Sequence, residues 1–266
     1  MRALLVVSNT EWLHVHTLPA LLAQYHNQLE ACTPGGAKEC GSALKDCSAQ
    51  LRRAAAGLLA LYSSWQGAAI TLQVDLYLSQ ARGAWEASVQ APEASEAAQD
   101  LVGLLADMQA QLLSYGPPSC LQQVMLDLVG RCMAALAHRI GEEQSDGHEP
   151  PVLLQLFVDL MFFASAFKDL LSDAAQEDLE AASTAVQGTL HAALLASTPE
   201  DFLEGTMLHA LLTAALSSSA KGTGKSEGRA FASRLVRLCR PLALSSLKRA
   251  GCNLACFAPG MVTNQV

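Results

Sequence analysis

The sequence predicts an all-α protein built from antiparallel helical bundles, and three observations carry that expectation. Of its residues 51% are hydrophobic but only 5% aromatic, with Ala and Leu dominating; that balance favours helices packed through small and unbranched side chains over β-sheet. Apolar residues recur at the three- and four-residue spacings that line one face of a helix. Breaks rich in Pro and Gly separate these stretches where helices would end. At 266 residues the chain can bury a sizeable core without disulfide or metal staples.

The opening stretch, MRALLVVSNTEWLHVHTLPALL, holds an apolar run from Ala3 to Val7. A secretory signal needs a longer run than this, and here Asn9 and Glu11 follow at once. Thr17 is placed to cap a helix with Pro19 in its first turn. No cap precedes Arg2, so the first helix is expected to begin already under way, as in a chain cut within a bundle. Pro34-Gly35-Gly36 breaks the chain before a long helical run from Lys38 to about Arg82, in which Gly67 is a candidate bend. Within that run Ala54–Val74 has the length of a membrane span, but Ser63, Ser64, Gln66, Thr71 and Gln73 mark it as a soluble helix.

Trp85 and Pro92 fall in the connection that follows. Between Glu93 and Tyr115, the residues Leu101, Leu104, Leu105, Met108 and Leu112 form one stripe, which Gly116-Pro117-Pro118 ends. From Ser119 to Ile140 a second stripe runs through Leu121, Val124, Leu128, Cys132 and Leu136, up to a polar loop from Gly141 to Pro150. These two segments read as antiparallel neighbours. Val152 to Leu171 is apolar almost all round, the pattern of a central helix buried on several sides. Ser172 and Asp173 punctuate it, and an Ala/Leu helix follows from Ala174 to Ala196. Thr198-Pro199-Glu200-Asp201 then offers an N-cap, a Pro at the first helical position and an acid reaching back, predicting a helix to about Ala215.

Ser217–Gly228 lacks periodicity and reads as a flexible linker. Arg229–Arg249 sets Phe231, Leu235, Leu238 and Leu242 on one side with arginines around them, and Pro241 is expected to kink or split it. The expected organisation is a helical bundle over 2–145, a second helical segment over 151–216 packed on the first, the linker 217–228 and a basic amphipathic tail over 229–266.

The net charge of −8 is unevenly spread: residues 221–266 carry a balance of +7 against −15 for the remainder. An acidic body repels polyanions, so nucleic acid is not an expected partner. Arg229, Arg234, Arg237, Arg240, Lys248 and Arg249 are the candidate contacts with a partner or with anionic membrane lipid. The eight cysteines are scattered through helical patterns without a C-x-x-C pair, which reads as reduced, buried thiols in the cytosol and not as a zinc site.

No catalytic, cofactor-binding or metal-binding constellation stands out. Ser219–Ser226, SAKGTGKS, ends like a phosphate-binding loop, but Ser219 stands where the first Gly is required and a helix, not a strand, precedes it. His14 and His16 lie two residues apart, so in a helix their rings point away from one another; they read as one surface and one junction histidine. Asp159 inside the apolar run reads as lying on a polar edge with Gln155, or as pairing with a base across the bundle.

Ser8, Asn9, Leu13, His16 and Thr17, in the order S-N-x-x-x-L-x-x-H-T, resemble a segment in the C-terminal half of exocyst complex component two, the Sec-five-type subunit. The register continues through Tyr62, Ile70 and Trp85 to the helix around Val124. Leu154-Gln155 through Leu171 resembles a late helix of the same family that carries an acid where Asp159 sits. Together these cover roughly residues 2–190. Tethering subunits of the Golgi-associated retrograde complex share parts of the Leu154–Leu171 pattern.

The resemblance implies a non-enzymatic, cytoplasmic vesicle-tethering subunit. Such a subunit is an elongated rod of stacked helical bundles that assembles with other exocyst subunits and holds secretory vesicles at the plasma membrane. Family members are much longer, and their N-terminal immunoglobulin-like domain, which binds a Ral-type small GTPase, has no counterpart here. The chain is therefore expected to be a C-terminal fragment or a truncated gene model, without that GTPase site.

Overall fold

The computed structural model describes residues 1–33, 35–83, 93–143, 149–202, 204–219 and 224–249, and every regular element among them is helical. The expected all-α class is what the structure shows. Trp85, Pro92, the centre of the polar loop, and Cys252 and Cys256 lie outside the described residues. The chain divides into two compact units, Met1–Gln66 with Asp107–Met125, and Gly67–Ala106 with Leu126–Val266.

The first unit opens with α1 (Arg2–Trp12), a π-helical turn (Leu13–Thr17) and α2 (Leu18–Cys32). The sequence predicts a new helix capped by Thr17; instead Thr17 is itself helical and makes no side-chain cap bond. Pro19 supplies the reason. It has no N–H to give the carbonyl four residues back, at Val15, and its ring presses on that carbonyl. A wider turn absorbs the misfit without ending the helix, and here the Leu18 N–H bonds to the Leu13 carbonyl. The core of this unit includes Leu4, Val7, Tyr62, Met108, Leu112 and Val124. Ser119 Oγ donates to Glu11 Oε2 at 2.8 Å, tying α1 to the start of α5.

Helix α3 (Gly36–Gly83) is the long run the sequence predicts. Gly67 has a packing reason: a Cβ there would lie 2.9 Å from Cδ of Arg131, so its smallness admits the crossing side chain. Helices α4 (Glu96–Tyr115) and α5 (Pro118–Glu143) follow the two apolar stripes. Over Pro118–Glu142, α5 is long and apolar enough to cross a membrane by length and composition. Its apolar side, Leu128, Val129, Cys132, Met133 and Leu136, is buried against protein, and Arg139 pairs with Asp75 of α3 at 2.9 Å.

In the second unit α6 (Pro150–Ala166) is the predicted central helix, and it packs against α7 (Asp173–Ala196), α8 (Met207–Ser219) and α9 (Gly224–Arg249). Phe157, Phe162 and Phe163 are all buried, each stabilising by about 1.5–3 kcal/mol relative to exposure. Ser172 caps α7, its hydroxyl accepting from the Ala175 N–H.

The capping box at Thr198 forms, but it opens only a single 3₁₀ turn, Pro199–Asp201. A left-handed Gly205 (φ 82°) reorients the backbone, and α8 starts afresh at Met207 with Thr206 Oγ1 accepting from the His209 N–H. The predicted single helix from Thr198 to Ala215 is thus two elements. Helix also occupies Ser217–Ser219 and Gly224–Gly228, at both ends of the segment expected to be a linker. Pro241 does not split α9, which runs through it.

Candidate functional site

Two places in the second unit concentrate polar groups: the surroundings of Asp159 and the outer face of α9. Asp159 is fully buried and not on a polar edge. Its Oδ1 accepts the Ser95 N–H at 2.8 Å and Gln155 Nε2 at 3.0 Å; its Oδ2 accepts Ser95 Oγ at 2.7 Å and Tyr77 Oη at 3.0 Å. The predicted neighbour Gln155 is present, while no base faces the carboxylate among the described residues.

Burial pushes the Asp159 carboxyl up to about 6, outweighing the four hydrogen bonds that favour its charged form. Burial and the adjacent Asp159 charge push the Tyr77 hydroxyl well above its ordinary value. Ser95 is the cap of α4, its Oγ accepting from the Ala98 N–H at 3.1 Å, so the carboxylate lies at the positive end of that helix.

The short segment before α4 is held from several sides. Gln155 Nε2 donates to the Glu93 carbonyl, the Ala94 N–H donates to Ser246 Oγ at 2.9 Å, and Arg249 pairs with Glu93 at 2.6 Å. With both oxygens occupied and water excluded, Asp159 positions helices; it has no free lone pair aimed at a substrate. Sequence reasoning missed Tyr77, Ser95 and Ser246. The Ser95-Glu96 pair before an apolar run was a readable cap signal; Tyr77 and Ser246 lie 82 and 87 residues from Asp159, and nothing local links them.

The bases of α9 divide. Arg229, Arg234, Arg237, Arg240 and Lys248 are exposed and form no ion pair among the described residues, whereas Arg249 is engaged by Glu93. Phe231 and Leu235, on the apolar side of the expected amphipathic tail, are buried in the bundle, so that side is covered by protein.

In the first unit Asn9 and His16 are exposed, Ser8, Leu13 and Thr17 half-buried, and Leu13, His16 and Thr17 form the π-turn itself. The Thr17 hydroxyl is buried without a partner among the described residues. His14 Nδ1 meets the Glu11 carbonyl at 3.3 Å, and the His16 ring lies 6.1 Å from that of Trp12. Among the described cysteines only Cys132 and Cys239 are buried, while Cys32, Cys40, Cys47 and Cys120 reach solvent, fewer buried thiols than the sequence reading expects. Among the described residues no group of three or more His, Cys, Asp or Glu could hold a metal ion.

Helical bundles pinned by a buried, fully hydrogen-bonded carboxylate and carrying a basic outer helix make this an all-α protein. Comparison with protein families gives the particular one: residues 1–221 match exocyst complex component Sec5. The chain belongs to the exocyst complex component Sec5 family. Members of this family are non-enzymatic subunits of a vesicle-tethering complex. Comparisons with curated proteins and with solved structures give no match. The match takes in the π-turn motif, the Asp159 cluster and all of α8; α9 lies beyond it.

Proposed function

We propose that this chain acts as a subunit of the exocyst, assembling with the other exocyst subunits and docking secretory vesicles at the plasma membrane before fusion. The observation that carries the reading is the family match over residues 1–221. Of the residues the resemblance quotes, Tyr62, Ile70, Val124, Leu154 and Asp159 are buried, while Asn9 and His16 are exposed and Ser8, Leu13 and Thr17 half-buried, so the support comes from the core positions from Tyr62 onward. The same resemblance supports reading the chain as corresponding to the C-terminal part of the subunit, working in the cytoplasm at vesicles and the plasma membrane.

Acute depletion of the protein tests the proposal. The expected result is accumulation of unfused secretory vesicles with retained export cargo. Normal export combined with misrouting of retrograde cargo would reassign the chain to a Golgi or endosome tether.

A further inference from the structure

Helix α9 lies outside the family match, so its surface chemistry is independent of exocyst membership. At about 100° per residue, Arg229, Arg237, Arg240 and Lys248 fall within about 100° of the helix circumference, and Arg234 lies about 40° beyond. From Arg229 to Lys248 the stripe is about 28 Å long at 1.5 Å per residue. All five side chains are exposed, and none has an ion-pair partner among the described residues; Arg237 makes only an intrahelical bond from Nε to the Ser233 carbonyl. The opposite face is covered, with Phe231, Leu235, Cys239 and Ala243 buried. The helix is thus fixed with its bases outward.

We propose that this stripe is a docking surface for anionic phospholipid headgroups, held by charge alone with the helix lying on the bilayer and inserting nothing. Charge complementarity selects the class of partner: four of the five bases are arginines, whose guanidinium forks match the oxygens of phosphodiesters. The shape of the site selects a lipid surface over an acidic peptide. A peptide needs apolar anchors set in pockets for its affinity, and the outward face presents Ala230, Ser233, Pro241 and Leu244, with Leu244 its one exposed large apolar side chain and Leu247 half-buried at its edge. A bilayer needs only several bases in reach of one plane, which a stripe on one side of a helix provides. The segment from 250 to 266 holds no acid to oppose this charge.

The test is flotation of the full chain with vesicles of phosphatidylcholine alone or containing 30% phosphatidylserine, at low and high salt. Binding is expected to the anionic vesicles only and to be lost at high salt. The variant R234Q/R237Q/R240Q should bind about 100-fold more weakly, at about five-fold per base near the surface. R52Q/R53Q, at exposed positions of α3, should bind like wild type. Circular dichroism checks that the triple variant folds; if it does not, S233E, an acid placed inside the stripe at an exposed position, carries the same expectation of weakened binding. Failure to float with anionic vesicles, binding unaffected by the folded stripe variants, equal loss in R52Q/R53Q, or binding that persists at high salt would each overturn the proposal. So would binding to polyglutamate without binding to vesicles, which would point to an acidic protein instead. The triple variant should still bring down exocyst subunits, so loss of lipid binding and loss of assembly are read separately.

Discussion

Replacing Asp159 with Ala would remove the acceptor that four protein donors share, and the structure sets the size of the effect. Tyr77 Oη is buried with the carboxylate, while Ser95 and Gln155 are half-buried and regain part of their loss from water. One fully buried donor left unsatisfied costs about 1–3 kcal/mol, and hydrogen bonds to a charged acceptor are individually worth about 1.5–3 kcal/mol. Counting Tyr77 in full and the Ser95 pair in part, less the burial cost of the charge that the substitution relieves, gives a loss of about 1–3 kcal/mol, a sizeable share of the about 5–15 kcal/mol of a typical domain. Asp159→Asn should cost far less. Its oxygen can face the Ser95 and Gln155 N–H groups, and its NH₂ can face the Tyr77 and Ser95 hydroxyls, which are able to accept. Urea unfolding followed by circular dichroism measures both variants, the midpoint shifting and the slope staying constant. A loss below about 1 kcal/mol for the Ala variant, or an Asn variant as damaged as the Ala variant, would refute the role given to the cluster.

Because burial raises Asp159 to about 6 from its ordinary 3.8, the folded state binds the proton more tightly than the unfolded chain. Stability from this group is fully present below about pH 4 and is lost as pH rises toward about 6, by about 3 kcal/mol; the wild-type minus Asp159→Asn difference in unfolding free energy should show that slope, and a flat difference would contradict it. Tyr77→Phe keeps the edge-on contact with Phe163, whose ring centroid lies 5.8 Å away, and loses one donor to Asp159. It should cost about 1 kcal/mol by urea midpoint and move the titration upward. Gly205→Ala places a Cβ at φ 82°, and should destabilise by about 1–2 kcal/mol in the same assay. Burial pushes the Cys132 and Cys239 thiols up to about 12, so in the native state they should resist alkylation while exposed Cys32 and Cys47 react, as mapped by mass spectrometry.

The helical stripes were legible because burial acts on every third or fourth residue, and α4, α5 and α6 fall close to where the spacing places them. What escaped the sequence depended on partners distant along the chain. Asp159 looked like an isolated acid because Tyr77 and Ser95 are brought to it only by folding. The α9 segment looked like a free amphipathic tail because its apolar face suits a bilayer and a bundle equally well, and only the packing of Phe231 and Leu235 decides between them. Pro19 misled in the opposite direction: proline at a helix start is common, yet here a π-turn lets the helix continue through it.

Purification of the protein under native conditions from its own cells, with its companions identified by mass spectrometry, reads its membership of the exocyst. Recovery of the other exocyst subunits in comparable amounts is the expected result. Recovery of a Golgi-associated tethering complex instead, or of no tethering subunit at all, would contradict it.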